Sequence, residues 1–319
     1  MNLFIDLLNP IKDYPHVILV LGKGGVGKTT ISTILARALS SQDKTLLISL
    51  DPAKHLTKYL GLEGLTHGVK VSNTLFIKQI SVEDEIKKIT NKYAELLREL
   101  MPSLSVLNVD DVIDSVRYSP GVEEEVLLKK LNEAFKSEFM YVVVDTPPTG
   151  VTLRTLLLPS LYLTWIEKLI TIRERIVALR YAIARVLGRL NEVKDRALMK
   201  LYDMEDELNL LNKMLKSPTN VSYVIVAIPE PLPMYELEET IKFLMGRLEV
   251  KPKLLVLNKI LREDVAERLG VADMQKRYLD TVRSHGVNYA LVEHLGKPTE
   301  SLRDIAELEG KIQTFKSSH

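Results

Sequence analysis

Residues 17–30, VILVLGKGGVGKTT, constrain what this chain can become more than any other stretch. Val17 to Leu21 are uninterrupted apolar residues and read as a strand buried on both faces. Gly22, four residues, Gly27, Lys28 and Thr29 follow, and a helical pattern then runs from Thr30 to Ser41. A strand, GxxxxGK[ST] and a helix in that order make a phosphate-binding loop. Phosphate oxygens need several N–H donors at close range, and glycine lets the backbone turn tightly enough to supply them. The helix starting near Lys28 adds its unpaired N–H groups and the positive end of its dipole. The expected cradle is Gly22, Lys23, Gly24, Gly25, Val26, Gly27, Lys28, Thr29 and Thr30. Lys28 is placed to hold the β- and γ-phosphates, and Thr29 to bind Mg²⁺.

A Mg²⁺ site needs an acidic residue at the end of a second buried strand, and YVVVDTPPTG (141–150) provides Asp145. Thr29 and Asp145 are therefore the expected metal-shell residues. Elsewhere, strand patterns fall at 44–50, 70–80, 139–145, 221–228, 252–258 and 287–292. Helical patterns cover 82–100, 120–136, 235–248 and 300–310. Alternating strands and helices predict an α/β fold with a doubly wound, mostly parallel sheet. Residues 152–216 show no strand signal and are too long for a simple crossover. With 82–118 they predict an α-helical subdomain inserted in one P-loop domain spanning 1–319.

Composition excludes several other chemistries. There are no cysteines, so disulfides, thiolate metal sites and cysteine nucleophiles are ruled out. The net charge of +1 gives no global field for nucleic acid or an anionic membrane. The segment MNLFIDLLNPIKDYPH lacks the features of a signal peptide, and no stretch of 18 apolar residues is free of charge. A cytoplasmic location is expected.

Lys23, directly after the first glycine, resembles the signature lysine of the ParA/MinD/ArsA/nitrogenase-iron-protein class of ATPases. In that class this lysine reaches the partner's nucleotide across a homodimer interface. LISLDPAKHL (47–56), YSPGVEEE (118–125), DTPPTGVTLRTLLLP (145–159), IPEPLPMYELEET (228–240) and VLNKI (256–260) follow in order. Together they resemble the ArsA-like family of arsenite-pump ATPases and tail-anchored-protein targeting factors, nearest the targeting branch. The resemblance implies ATP and Mg²⁺ as cofactors, a homodimer, and an adenine contact from Asn258. It also implies switch loops beginning at Asp51 and Asp145.

The chain departs from that family in two ways. Lys58 stands where the first switch places the aspartate that orients the attacking water, and a protonated lysine is no base. Lys23, Asp51 and Asp145 remain the candidate catalytic residues. The stretch from Leu261 to Met274 has no CxxC, so no zinc is expected, and arsenite stimulation through thiolates is excluded.

Residues 161–190 carry Leu161, Leu163, Trp165, Leu169, Ile176 and Ile183 beside Arg173, Arg175, Arg180, Arg185 and Arg189. These apolar residues either pack on one another, lie on a membrane surface, or form a groove for a client. The targeting resemblance implies the groove, a transmembrane-helix client and a membrane receptor, with nucleic acid not expected as a partner. The alternatives are a ParA/MinD-like positioning ATPase on DNA or membrane, or a nucleotide switch with little hydrolysis.

Overall fold

The computed structural model describes residues 8, 15–51, 56, 61, 68–100, 119, 121–186, 195–297, 299 and 301–317, with backbone alone for 92–100. The expectations at Lys58 and Arg189, and for 101–118 and most of the first switch loop, fall outside those residues.

A single sheet organises the chain. Its strands are β1 (His16–Leu21), β2 (Thr45–Ser49), β3 (Val69–Lys70), β4 (Leu75–Gln79), β5 (Tyr141–Asp145), β6 (Val221–Ala227), β7 (Leu254–Ile260), β8 (Tyr289–Glu293) and β9 (Ile312–Phe315). They lie in the order β3-β4-β2-β5-β1-β6-β7-β8-β9. The seven strands from β4 to β8 run parallel, while β3 and β9 pair antiparallel at the two edges. The expected mostly parallel α/β sheet is thus present. The single strand expected over 70–80 is instead two strands, β3 and β4, separated by the Ser72–Thr74 turn. Strand β9 has no counterpart among the strand patterns read from sequence. Its alternation of Ile312 and Thr314 against Gln313 and Phe315 is too short to stand out before pairing supplies a context.

The inner strands are fully buried because both faces are covered. β1 and β5 have no exposed residue. One face is covered by α1 (Lys28–Ser40) and, near the end of the chain, α9 (Leu302–Glu309), which pack with Ile18, Val20 and Val143. The other is covered by α3 (Val122–Phe135), α4 (Thr149–Val186), α5 (Arg196–Lys216), α6 (Pro231–Phe243) and α8 (Ala272–Ser284). α2 (Val82–Leu100) precedes α3, and the short α7 (Glu263–Arg268) precedes α8. The alternate residues Val17, Leu19 and Leu21 face the second layer. Each fully buried aliphatic side chain of this kind contributes about 1.5–3 kcal/mol.

α6 begins four residues before the expected Tyr235. Pro231 occupies the first turn, where a missing N–H costs nothing. The helix ends in a π turn, Leu244–Leu248, closed by Glu249 in the left-handed region. α8 was not apparent from sequence, since its one buried apolar residue is Val282.

α4 and α5 form the helical stretch expected over 152–216. α4 is long and apolar enough to cross a membrane, but a third of its most apolar segment is buried in the fold. Leu156, Thr155, Leu163, Ile166 and Ile170 point inwards. Tyr162 donates to Glu125 of α3, and Arg154 binds Glu124 at 2.7 Å. Asp195 joins the two long helices: it caps α5 through Leu198 N–H and accepts both Arg173 N–H bonds, at 3.0 and 2.8 Å. Arg180 reaches the same carboxylate at 3.4 Å, and Tyr202 donates to Glu174 at 2.6 Å. Two of the five arginines expected on a polar face thus lock α4 to α5.

Candidate functional site

β1 lies between β5 and β6, where the chain's connections change direction across the sheet, and ligands of open α/β sheets bind at the carboxyl ends of such strands. The loop from Gly22 to Gly27 leaves β1 at that point. Gly22 has φ +149°, and a Cβ there would sit 2.3 Å from the Val226 carbonyl oxygen. Gly27 has φ +95°, and its Cβ would sit 2.3 Å from Asn258 Nδ2. Glycine is required at both positions by backbone conformation and by space. Gly27 is also the N-cap of α1, which has no side-chain cap and no acidic residue in its first turn. Its leading N–H groups therefore face the loop cavity unclaimed by any side chain, as anion binding requires.

Lys28 is buried, and its Nζ donates to the Lys23 carbonyl at 3.2 Å, across the mouth of the loop. Burial pulls its ammonium below the usual lysine range, opposed by Asp145, Asp51 and Glu236. Glu236, in α6, was not singled out from sequence. Its signal was an acidic residue in the helix that follows β6, the strand beside the loop.

Asp145 is fully buried at the end of β5, opposite Val20 and Ser49. Thr29 Oγ1 donates to its Oδ2 at 2.8 Å, and Ser49 Oγ donates to the same oxygen at 3.0 Å. Ser32 Oγ lies 3.5 Å from Oδ1. Burial raises this carboxyl to about 6; the Thr29 and Ser49 hydroxyls and Lys28 pull it back, and Asp51 pushes it further up. A buried carboxylate held beside a threonine hydroxyl is a hard-oxygen donor set suited to Mg²⁺, which binds through few protein ligands and completes its shell with water and phosphate. Among the described residues no group of three or more acidic, histidine or cysteine side chains forms an all-protein cage. The residues present therefore fit a metal carried in with a nucleotide.

Most of the expected site residues lie near this point. Gly22 to Thr30 run from the end of β1 into α1, Thr29 and Asp145 touch, and Asp51 acts electrostatically on both Lys28 and Asp145. Asn258, at the end of β7, is buried against the loop; its Nδ2 donates to the Val26 carbonyl at 2.8 Å, and its Oδ1 accepts from Lys259 N–H. One N–H and one oxygen lone pair of the amide remain for another partner. Ser32 and Ser49, hydroxyl partners of Asp145, were not singled out: Ser32 follows the GK[ST] motif, and Ser49 lies within LISLDPAKHL (47–56) without a role until strand pairing brings it opposite Asp145.

The contact at Gly27 makes a direct prediction. Gly27→Ala is expected to weaken MgADP binding by at least about tenfold, since a Cβ is strained at that φ and collides with Asn258. Calorimetric titration measures it; unchanged affinity would contradict the geometry.

Residues 15–302 match the family described as anion-transporting ATPase. Similar curated proteins include "ATPase GET3A" of Arabidopsis thaliana, 30% identical over 277 residues that cover 82% of this chain and 73% of that protein. "ATPase ASNA1 homolog" of Entamoeba dispar is 27% identical over 334 aligned positions, covering 98% and 99%. "Putative arsenical pump-driving ATPase 2" of Aquifex aeolicus is 28% identical over 270 residues, covering 83% and 87%.

Proposed function

The chain belongs to the ArsA-like, anion-transporting ATPase family, and on that premise we propose that it is a cytoplasmic, homodimeric Mg²⁺-ATPase that shields the transmembrane helix of tail-anchored proteins and hands it to a membrane receptor. In this reading the cradle N–H groups and Lys28 bind the triphosphate, Thr29 and Asp145 hold Mg²⁺, and the free positions of the Asn258 amide meet adenine. Mg²⁺ supplies charge neutralisation on the phosphates. Lys23, half-exposed beside the loop, reaches the partner's nucleotide. Asp51 and Asp145 are the acidic groups proposed to act on the attacking water, and Asp51 bears electrostatically on both Lys28 and Asp145. Residues 82–118 and 152–216 act as the client-binding subdomain.

One observation carries the client part. Trp165, Leu169, Ile172, Ile176, Leu179, Ile183 and Val186 are all exposed on α4, between 37% and 87%. Their spacing alternates four and three residues, the repeat that presents one continuous seam to another helix. From Trp165 to Val186 the seam runs about 30 Å, the thickness of a bilayer's hydrocarbon core. On the adjoining α5, Met199 and Met204 add exposed, adaptable side chains suited to varied client sequences. Seven exposed apolar side chains in one continuous seam differ from the singly scattered surface apolar residues of an ordinary protein.

The nucleotide part is tested by mass. Sedimentation is expected to show a larger dimer fraction with MgATP than with MgADP, and Lys23→Ala is expected to abolish that difference while leaving ATP binding to the monomer intact. A dimer fraction indifferent to nucleotide in the wild-type protein would refute the crossing role of Lys23.

A further inference from the structure

The end of β7 makes contacts that a strand end has no need to make. Lys259 has φ +56°, and among the described residues only Glu249 shares that left-handed conformation without being glycine. Long side chains rarely adopt it. The pairing of β7 with β8 is also irregular between Leu257 and Ile260, so the backbone here is re-aimed rather than simply ended. Unusual backbone that the surroundings hold in place is most often found where it positions a functional group.

What the distortion achieves is a clasp on the phosphate loop. Asn258 Nδ2 donates to the Val26 carbonyl at 2.8 Å, and Lys259 Nζ donates to the Gly25 carbonyl at 3.0 Å. These are consecutive carbonyls. In a loop whose N–H groups converge on phosphate, the carbonyls face outward, and tying them fixes the direction of the N–H groups. The Gly24–Gly25 segment most needs such a tie. Both residues are exposed, Gly25 has φ +84°, and a Cβ at either would meet nothing within 4 Å. No packing restrains this part of the loop, whereas Val26 is buried.

We propose that Lys259 is a positioning residue for nucleotide: its ammonium holds the Gly25 carbonyl from outside the loop and keeps the glycine N–H groups aimed at the phosphates. The proposal rests on the nucleotide-binding reading above and adds a residue to it. It also explains a lysine at a left-handed position, because the distortion turns the ammonium towards the loop. The substrate element it acts on is the polyphosphate, whatever the base.

Lys259→Asn tests it. Asparagine tolerates the left-handed backbone better than lysine and is too short to reach Gly25. Thermal stability should therefore be unchanged or higher, whereas a purely structural tether would lower it. Affinity for MgADP and for inorganic tripolyphosphate should fall together by about tenfold, the loss of one charge-assisted hydrogen bond. Lys259→Arg, which keeps the cation, should restore most of both. Equal affinities in the wild-type protein and Lys259→Asn would overturn the proposal while leaving nucleotide binding intact. A loss confined to MgADP would also overturn it, because that result places Lys259 on the nucleoside. A wild-type protein that binds neither ligand would refute both this proposal and the ATPase reading.

Discussion

Asp145→Asn should give a protein that is more stable without nucleotide and nearly inactive with it. The Asp145 carboxyl is fully buried and raised from 3.8 to about 6, with burial the leading cause. Its folded value lies above its unfolded value, so the folded state binds the proton more tightly. The stability held by the protonated form is fully present below 3.8 and is lost as pH rises through about 6. Asparagine loses nothing over that range. Its advantage should be absent at acid pH and reach about 3 kcal/mol above pH 6. The substitution also fits locally, because Thr29 and Ser49 both donate to one oxygen, which the amide retains. Urea unfolding at about pH 4.5 and about pH 7.5, without nucleotide or Mg²⁺, measures the difference. A variant less stable than wild type at the higher pH would contradict it.

The same substitution removes the charge that would meet Mg²⁺. Turnover should fall by about 10- to 100-fold, the usual loss when a metal site's supporting carboxylate is neutralised. Proton and metal compete for Asp145, so Mg²⁺ affinity in the wild-type protein should weaken below about pH 6. The position thus trades stability of the empty protein for binding of the charged ligand.

The second large effect is expected on α4. Leu169→Glu with Ile172→Glu alters two seam residues, 50% and 54% exposed, that belong to neither core cluster. Substitutions at such positions shift stability by within about 0.5 kcal/mol each. Transmembrane-helix capture should fall by at least about a hundredfold, because each carboxylate would face an apolar helix. Leu156→Glu provides the contrast: Leu156 lies on the buried face of the same helix, in the core, and the charge should prevent folding. Equal client capture by the Leu169/Ile172 double variant would remove the seam from the account.

The loop and its carboxylate partner Asp145 were legible because both sit in stretches with strong local patterns. Glycine spacing, Lys28 and Thr29 sit in one short stretch, and Asp145 follows an unmistakable apolar strand. The helical stretch was legible in type but not in orientation. Leu163, Ile166 and Ile170 are buried, whereas Trp165, Leu169 and Ile172 are exposed, and periodicity alone treats both sets as apolar. Two interleaved stripes on one helix resolve only when α3 and α5 cover one of them. Glu236, Ser49 and Lys259 stand in stretches quoted for the family resemblance, yet their contacts were not legible there: Glu236 acts on Lys28 from α6, Ser49 meets Asp145 through strand pairing, and Lys259 reaches the loop from a left-handed backbone. In α8 only Val282 is fully buried among its apolar residues, so too little of a stripe was present to announce the helix.

The central claim is that nucleotide state governs binding of an apolar helix to this protein. The most direct test is capture of a labelled peptide containing a single transmembrane helix, measured with Mg²⁺-ATP, with Mg²⁺-ADP and without nucleotide. Capture is expected to depend on nucleotide and to saturate near one peptide per dimer. No capture in any of the three states would contradict it and leave the α4 seam without a client.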